Sequence, residues 1–531
     1  MTINALAGNQ SVTPLVTAIK TTATVSSAAA QQQAATTQST AVTLGQATTS
    51  TPVYTITRPA LAWESASGDL LSSKLAGNFS ASGNAARFAG LGSALMERFA
   101  HNGGNYSQSV IRQTASSQAD SATSLATVSR QSQLHTKADN QISLSIKTAS
   151  GAQVDITLGS DTDGLGVQVN VSKGTLSDAD RQALAKMADG FQKAIDGLTA
   201  QPPKLDLSGL TTFDTSVLTS VDLHASLGTE NTQTLDFHAD ASTRLVKSTG
   251  IDGTVDISVD MSKRALLGSE SQQTQALNQY LKQFDSAGVR GNANDSLMTM
   301  FKDAFTALNS HYGETSTTHQ SSGKEPVYFS LTKTDKNMVS GLADFTASIS
   351  QTPGDKTNPM RPDEVDTFSY QVSQSSNING TSSQDRNISQ KQQSHLVASY
   401  HKSLTTGLQL NLTTDRNSQN YLYYQIDDKA ESTTDIQYQK GALVSASVDQ
   451  SASTSTRIQK YVKGWLESDT TTPVETSKTT DLLGKLQSAW ENDKSRMSFQ
   501  DYLTKHTLPD LSGLVLLESD PNQLQKSSAT F

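Results

Sequence analysis

Aspartate and histidine recur in one stretch of the chain at a spacing that could do chemistry. Between Ser220 and Ser242 the sequence SVDLHASLGTENTQTLDFHADAS contains Val-Asp-Leu-His-Ala and then Leu-Asp-Phe-His-Ala. With a turn at Gly228 to Thr232, Asp222 falls opposite His238 and His224 opposite Asp236, all on one side, and Asp240 extends the row. Imidazole and carboxylate are ordinary ligands for zinc or manganese, and the same pair serves acid/base transfer. The other side carries Val221, Leu223, Ala225, Leu235, Phe237 and Ala239. Burial of one face therefore accounts for the spacing unaided. The hairpin is read as the wet face of a sheet, and its five polar residues as the set a metal site would draw on.

Tyrosines form the second cluster. In alternation, Tyr421 and Tyr423 share the side opposite Leu422, Tyr424 and Ile426. Tyr421, Tyr423 and nearby Tyr438 are therefore expected at the surface, as contact residues for a protein or glycan partner. Weaker signals reduce to structure. DTDG at Asp161 to Gly164 lacks the third acidic ligand and closing glutamate of a calcium loop and reads as a tight turn. GLGSAL from Gly90 has Leu95 where a dinucleotide loop needs its third glycine. His395 and His401, flanking LVASYHK, are read as residues of a surface strand. No G-x-S-x-G, H-E-x-x-H or phosphate-binding loop occurs, so no cofactor is expected.

The elements that position such residues are set by an unusual composition. Of 531 residues, 35% are apolar and only 17% charged, so uncharged polar residues make up the bulk. Threonine and other neutral side chains suit the solvent face of long strands. The net charge of −9 offers no general attraction for nucleic acid or an anionic membrane. There is no cysteine, which excludes disulfides, thiolate metal sites and cysteine nucleophiles. The longest apolar run, at Leu514 to Glu518, is far shorter than the ~20 residues of a membrane span.

Periodicity predicts an α+β protein of antiparallel sheets with amphipathic helices packed on them, divided into several domains. The first 57 residues hold a single charge, Lys20, and are expected to be disordered. Residues 58–138 read as a helical and polar linker region, with Phe88, Leu91, Leu95 and Phe99 on one helix face ended by Gly103. Residues 139–203 read as three strands (Ile142 to Ile146, Val154 to Leu158, Val167 to Val171) and a helix capped by Ser177. That helix carries Leu184, Met187, Phe191, Ile195 and Leu198 against the sheet, with Gln192 off the stripe.

Residues 204–315 read as strands and two helices, and 322–466 as a long meander in which Leu408, Leu410 and Leu412 alternate. Residues 478–508 read as helical, with a tail at 515–531. The pentapeptide DLSGL occurs at Asp206 and again at Asp510.

The absence of cysteine, the scarcity of charge and the Ala/Ser/Thr/Gln-rich N-terminus together resemble proteins exported by the bacterial flagellar or type III route. Axial members of that group carry long terminal heptad helices, which this sequence lacks. The resemblance thus implies an exported accessory, adhesive or effector-like binding protein. The sequence-level expectation is a non-enzymatic binding or structural protein outside the cytoplasm. The alternative is a cytoplasmic enzyme whose site assembles from scattered residues, with the Asp-His hairpin as the seed of a metal-dependent form.

Overall fold

A computed structural model describes residues 61–526 except 66–67, 114–120, 230–231, 313–317, 321–327, 355–357, 381 and 495; the side chains of 121–124, 318–320 and 328–330 are likewise outside the description. The segment expected to be disordered, 1–57, lies outside the described residues.

Alternating apolar residues build strand after strand. In chain order these are β1 (Leu61–Trp63), β2 (Tyr106–Arg112), β3 (Asn140–Thr148), β4 (Gln153–Asp161), β5 (Gly164–Lys173), β6 (Leu218–Leu227), β7 (Gln233–Asp240), β8 (Thr243–Gly250) and β9 (Gly253–Asp260). A small pair follows, β10 (Thr318–Gln320) and β11 (Tyr328–Ser330), and then β12 (Asp344–Gln351), β13 (Thr367–Gly380), β14 (Arg386–Ser403), β15 (Tyr421–Gln439), β16 (Ala442–Val462) and β17 (Trp465–Asp481). All but the small pair join one 15-stranded antiparallel sheet in the order β1-β2-β5-β4-β3-β6-β7-β8-β9-β12-β13-β14-β15-β16-β17. The strand blocks that read separately in the sequence hydrogen-bond edge to edge, through β3 with β6 and β9 with β12. The protein is α+β.

Helices bury one face of this sheet. In the first half these are α1 (Leu70–Phe79), α2 (Asn84–Phe88), α3 (Leu91–Asn102), α4 (Ser121–Thr136), α5 (Asp178–Thr199) and α6 (Ser208–Thr211). They are followed by α7 (Glu270–Gly291), α8 (Asp295–Leu308), α9 (Lys333–Asn337), α10 (Leu482–Glu491), α11 (Phe499–Lys505), α12 (Ser512–Val515) and α13 (Pro521–Lys526). Helix α5 starts where Ser177 and Asp180 form a reciprocal capping box. Its expected stripe is fully buried against Ile142, Leu144, Ile156 and Val167 in the main core. Helix α4 is the exception: it lies on the other face, where a side chain at Gly159 would strike the Leu134 carbonyl at 1.8 Å.

Gln192 does not stand idle beside the stripe, as its position predicted. Helix α3 begins after Gly90 with no side-chain cap of its own. Gln192 Oε1 accepts from the Gly92 amide at 2.8 Å and the Ser93 amide at 3.3 Å, capping α3 from the neighbouring helix. Gly92 makes this approach feasible, since a Cβ there would sit 2.5 Å from Ile195. Gln192→Ala is thus expected to cost about 1–3 kcal/mol, because buried amide donors lose their acceptor. Urea unfolding would check this, and a variant as stable as the parent would remove the cap from the account.

The covered face of β13–β16 uses amides and hydroxyls where an apolar core would be usual. Gln374 pairs with Gln392, Gln392 with Ser432 and Ser432 with Gln450 across adjacent strands. These side chains hold irregular backbone. Gln392 Nε2 donates to the Val515 carbonyl at 2.9 Å and its Oε1 accepts from the Leu517 amide at 3.0 Å, while Gln450 donates to Leu516 at 2.8 Å and Gln390 accepts from Ser340 at 2.7 Å. Residues 515–517, directly after the C-terminal DLSGL, are thereby laid on the sheet. Both DLSGL copies fold alike: Leu210 N donates to Leu207 O and Leu514 N to Leu511 O, each at 2.9 Å, at the start of α6 and α12.

Candidate functional site

The Asp-His hairpin forms in the expected register, with Asp222 facing His238 and His224 facing Asp236 between β6 and β7. Leu223, Ala225, Leu235 and Phe237 are buried on the helix side, so the polar row lies on the opposite, open face. His224 Nδ1 meets Asp236 at 2.7 Å. His238 is held on both nitrogens, Nδ1 by Asp222 at 2.6 Å and Nε2 by Asp240 at 3.3 Å. Burial lowers the His238 pKa, but the two carboxylates outweigh it and the net shift is upward. Each imidazole is thus committed to a carboxylate by a hydrogen bond. Among the described residues no group of three or more His, Asp or Glu side chains is arranged to hold a metal ion.

Replacing both Asp236 by Asn and His238 by Gln is expected to move stability by no more than roughly 0.5 kcal/mol, as is usual for solvated side chains. Zinc or manganese should leave the melting temperature of the parent unchanged. A metal-dependent rise lost in the double variant would establish a site.

The tyrosines are placed differently from expectation. Tyr421 and Tyr423 do lie on the side opposite Leu422 and Tyr424, but they are buried, at 0% and 4% exposure. The reason is a roof. Leu408, Leu410 and Leu412, expected as a strand, lie in a loop, and Leu410 and Leu412 pack on Tyr421, Tyr423 and Tyr461. The 358–366 segment completes the cover: Asn358 Nδ2 donates to Tyr421 Oη at 2.9 Å, Tyr421 Oη donates to Glu364 at 2.6 Å, and Tyr423 Oη donates to the Val365 carbonyl at 3.2 Å. Tyr438 faces the helix side and is buried beneath Arg386, whose guanidinium carbon sits 3.5 Å from the ring centre. None of the three is a surface contact residue.

Under the roof lies an acid/base group that sequence reading missed. His401 was expected on an open strand, yet its side chain is fully buried, with Nδ1 2.6 Å from Asp366 and Nε2 3.3 Å from Glu364. Burial lowers its pKa, and the two carboxylates more than reverse this. Burial raises the Glu364 pKa, but hydrogen bonds from His401, Tyr421 and Tyr461 bring it below the usual value. Tyr461 is pushed up to about 12, by burial and then by Glu364. The cluster pins the 358–366 segment to the sheet. Nothing in the local sequence signals it, because Glu364 and Asp366 come from an aperiodic stretch.

The raised histidine contributes stability that is complete below its ordinary pKa of about 6.5 and is lost as pH rises through the folded-state value. The lowered glutamate acts oppositely, losing its contribution as pH falls below the carboxylate range. Melting temperature should therefore decline from pH 6 to pH 9 more steeply in the parent than in His401→Gln. Parallel profiles would show that His401 does not titrate with folding.

A second group superficially matches a nucleophile arrangement. Ser107 Oγ lies 3.1 Å from His135 Nε2, and Glu64 lies 2.9 Å from that same nitrogen. A relay needs the carboxylate on the other nitrogen. Here Glu64 also accepts from Ser107 and Ser109, and His135 Nδ1 is buried with no hydrogen-bond partner among the described residues. Burial opposes ionisation of Glu64, but these hydrogen bonds hold its pKa down at about 2. The group fastens β1 and α4 to β2.

Between α4 at one end and the roof at the other, no element among the described residues covers the open face, which is polar. A single register row runs His224, Asp236, Lys247, Asp256, Ser348, Gln371, His395, Lys429, Ser453, Glu475 across ten strands. From β9 to β17 the face forms a trough of about 680 Å³. Comparisons with protein-family models, with curated proteins and with solved structures find nothing that matches the chain.

Proposed function

We propose that the chain is a non-enzymatic binding or structural protein that works through the open face of its sheet, and that it is exported. The observation that carries this reading is the trough, whose floor includes Gln371, Ser373, Gln393, His395, Lys429 and Ser453. Rows of amides and hydroxyls on a rigid sheet supply regularly spaced donors and acceptors, which suits an extended protein segment or a glycan. Three of the ionisable groups lining it are paired with neighbours on the same face, His395 with Asp427 at 2.8 Å, Lys429 with Asp427 at 3.5 Å and Glu431 with Lys391 at 3.0 Å. Such pairing favours recognition over proton transfer. Export rests on the absence of cysteine and the composition of residues 1–57. In the described residues no helix is long and apolar enough to cross a membrane.

The test is a glycan and peptide array probed with the parent and with a Gln371→Arg, Gln393→Arg, Ser453→Arg triple variant. The expected result is a bound class that the variant loses while its melting temperature stays unchanged. Turnover of a substrate, abolished by His224→Ala or His395→Ala, would overturn the reading in favour of an enzyme. Fractionating cells that express the chain with and without residues 1–57 tests export.

A further inference from the structure

On the helix side of the sheet, beside the C-terminal turns of α7, lies a surface cleft of about 570 Å³ that neither the hairpin nor the trough includes. Its floor is an aromatic pair. Tyr400 and Tyr424 are cross-strand partners on β14 and β15, with ring centres 4.9 Å apart and planes within 7° of parallel. Ile426 and Thr456 extend the floor, and α7 forms the wall with Asp285, Ser286, Val289 and Arg290. Val289 is 85% exposed, an aliphatic side chain standing in solvent beside the rings.

The polar groups around this apolar surface are neutralised in place. Arg290 is paired with Asp428 through Nε and Nη2, and Nη2 also donates to Thr456 Oγ1 at 2.9 Å. Asp285 is paired with Lys302. Both cations are matched by these carboxylates, and Asp520 adds further negative potential near Arg290, so the cleft offers no net positive charge to a phosphate or carboxylate ligand. Hydrogen-bonding capacity remains: among the described residues neither the Tyr400 nor the Tyr424 hydroxyl has a protein partner, and neither has Arg290 Nη1.

An uncharged ligand with an apolar ring face and a periphery of hydroxyls matches that arrangement. Sugar C–H groups pack against aromatic surface, and sugar hydroxyls exchange hydrogen bonds with phenol, guanidinium and threonine. The volume falls within the range of small-ligand sites. We propose that the Tyr400–Tyr424 cleft binds a neutral saccharide. The site is separate from the trough and does not depend on it.

The experiment is calorimetric titration of the full chain with maltohexaose, cellohexaose and chitohexaose, and with a heparin hexasaccharide as the charged counterpart. At least one neutral hexasaccharide should bind saturably and more tightly than the heparin fragment. Tyr424→Ala should weaken it by about tenfold, and Tyr424→Phe, which keeps the ring, by less than about threefold, with melting temperatures unchanged. Absence of binding by all three neutral probes would overturn the proposal, as would binding indifferent to Tyr424→Ala or a preference for the charged probe. Binding lost in the trough triple variant but kept in Tyr424→Ala would place the ligand on the open face, ending this proposal while leaving the proposed function intact.

Discussion

Phe191→Ala is expected to destabilise the protein by about 3–5 kcal/mol, the usual cost of emptying a buried aromatic site. Phe191 is wholly inaccessible at the centre of the α5 stripe, and the strands beneath it contribute Ile142, Leu144, Val154, Ile156 and Leu158, equally buried. The cavity would open in a core bounded on its flank as well, since α3 packs beside α5 and against β5 and adds Leu91, Leu95 and Phe99 to the same core. Collapse to fill it is therefore restricted. The neighbouring Gln192→Ala, which removes a cap but leaves the layers in contact, should cost distinctly less. Urea unfolding of the pair gives the comparison, and equal stability of parent and Phe191→Ala would refute the clamping of β3–β5 by α5.

Asp335→Ala is expected to cost a similar amount, about 3–5 kcal/mol, for a different reason. Asp335 accepts from Arg386 Nε at 3.1 Å and from Nη2 at 2.8 and 2.9 Å, with side-chain exposures of 0% and 5% for the two partners. Removing the carboxylate leaves a guanidinium enclosed under α9 and over the Tyr438 ring, where water cannot replace the lost oxygens. It also opens the capping box with Thr332 that starts α9. Changing both partners, Asp335→Leu with Arg386→Met, should be milder than the single change, because the stranded charge is gone. A single variant within about 1 kcal/mol of the parent would mean that the pair is hydrated or replaced.

Where one side of an element is buried and the other wet, its sequence announced it. The period-two runs at Ile142, Val154 and Val167 became strands, and the stripe of α5 became a buried face, because apolar side chains had only one place to go. Beyond that the signal failed for identifiable reasons. The covered face of β14 and β15 carries Gln390, Gln392, Ser432 and Thr434, all at 0% exposure, so no hydrophobic alternation marks which side is inside. Strand β17 is exposed on both faces over most of its length and shows no period at all. Joining of the strand blocks into one sheet depends on pairings such as Ala347 with Ile257, between residues far apart in the chain.

The hairpin register and its polar row were readable because cross-strand pairing follows from a short turn. The burial of Tyr421 and Tyr423 was not, since an aperiodic loop supplies their cover. The cleft proposed to bind a saccharide shares that difficulty. Tyr424 was assigned to the correct side of its strand, but its stacking partner Tyr400 lies on another strand, and only the three-dimensional register brings the two rings together.

The central claim is that, at the middle of β13–β16, the sheet has one face covered by helices and the C-terminal segment and the other face open for binding, and the lack of native cysteine makes it directly measurable. Single serines can be changed to cysteine on adjacent positions of one strand: Ser375 on the open face and Ser376 on the covered face of β13, with exposed Ser451 on β16 and sealed Ser432 on β15 as a second pair. Maleimide labelling of the folded protein should proceed at the rate of a free thiol at 375 and 451, and only upon unfolding at 376 and 432. Equal labelling within each pair, or protection at 375 and 451, would contradict the open face and with it the binding role assigned to it.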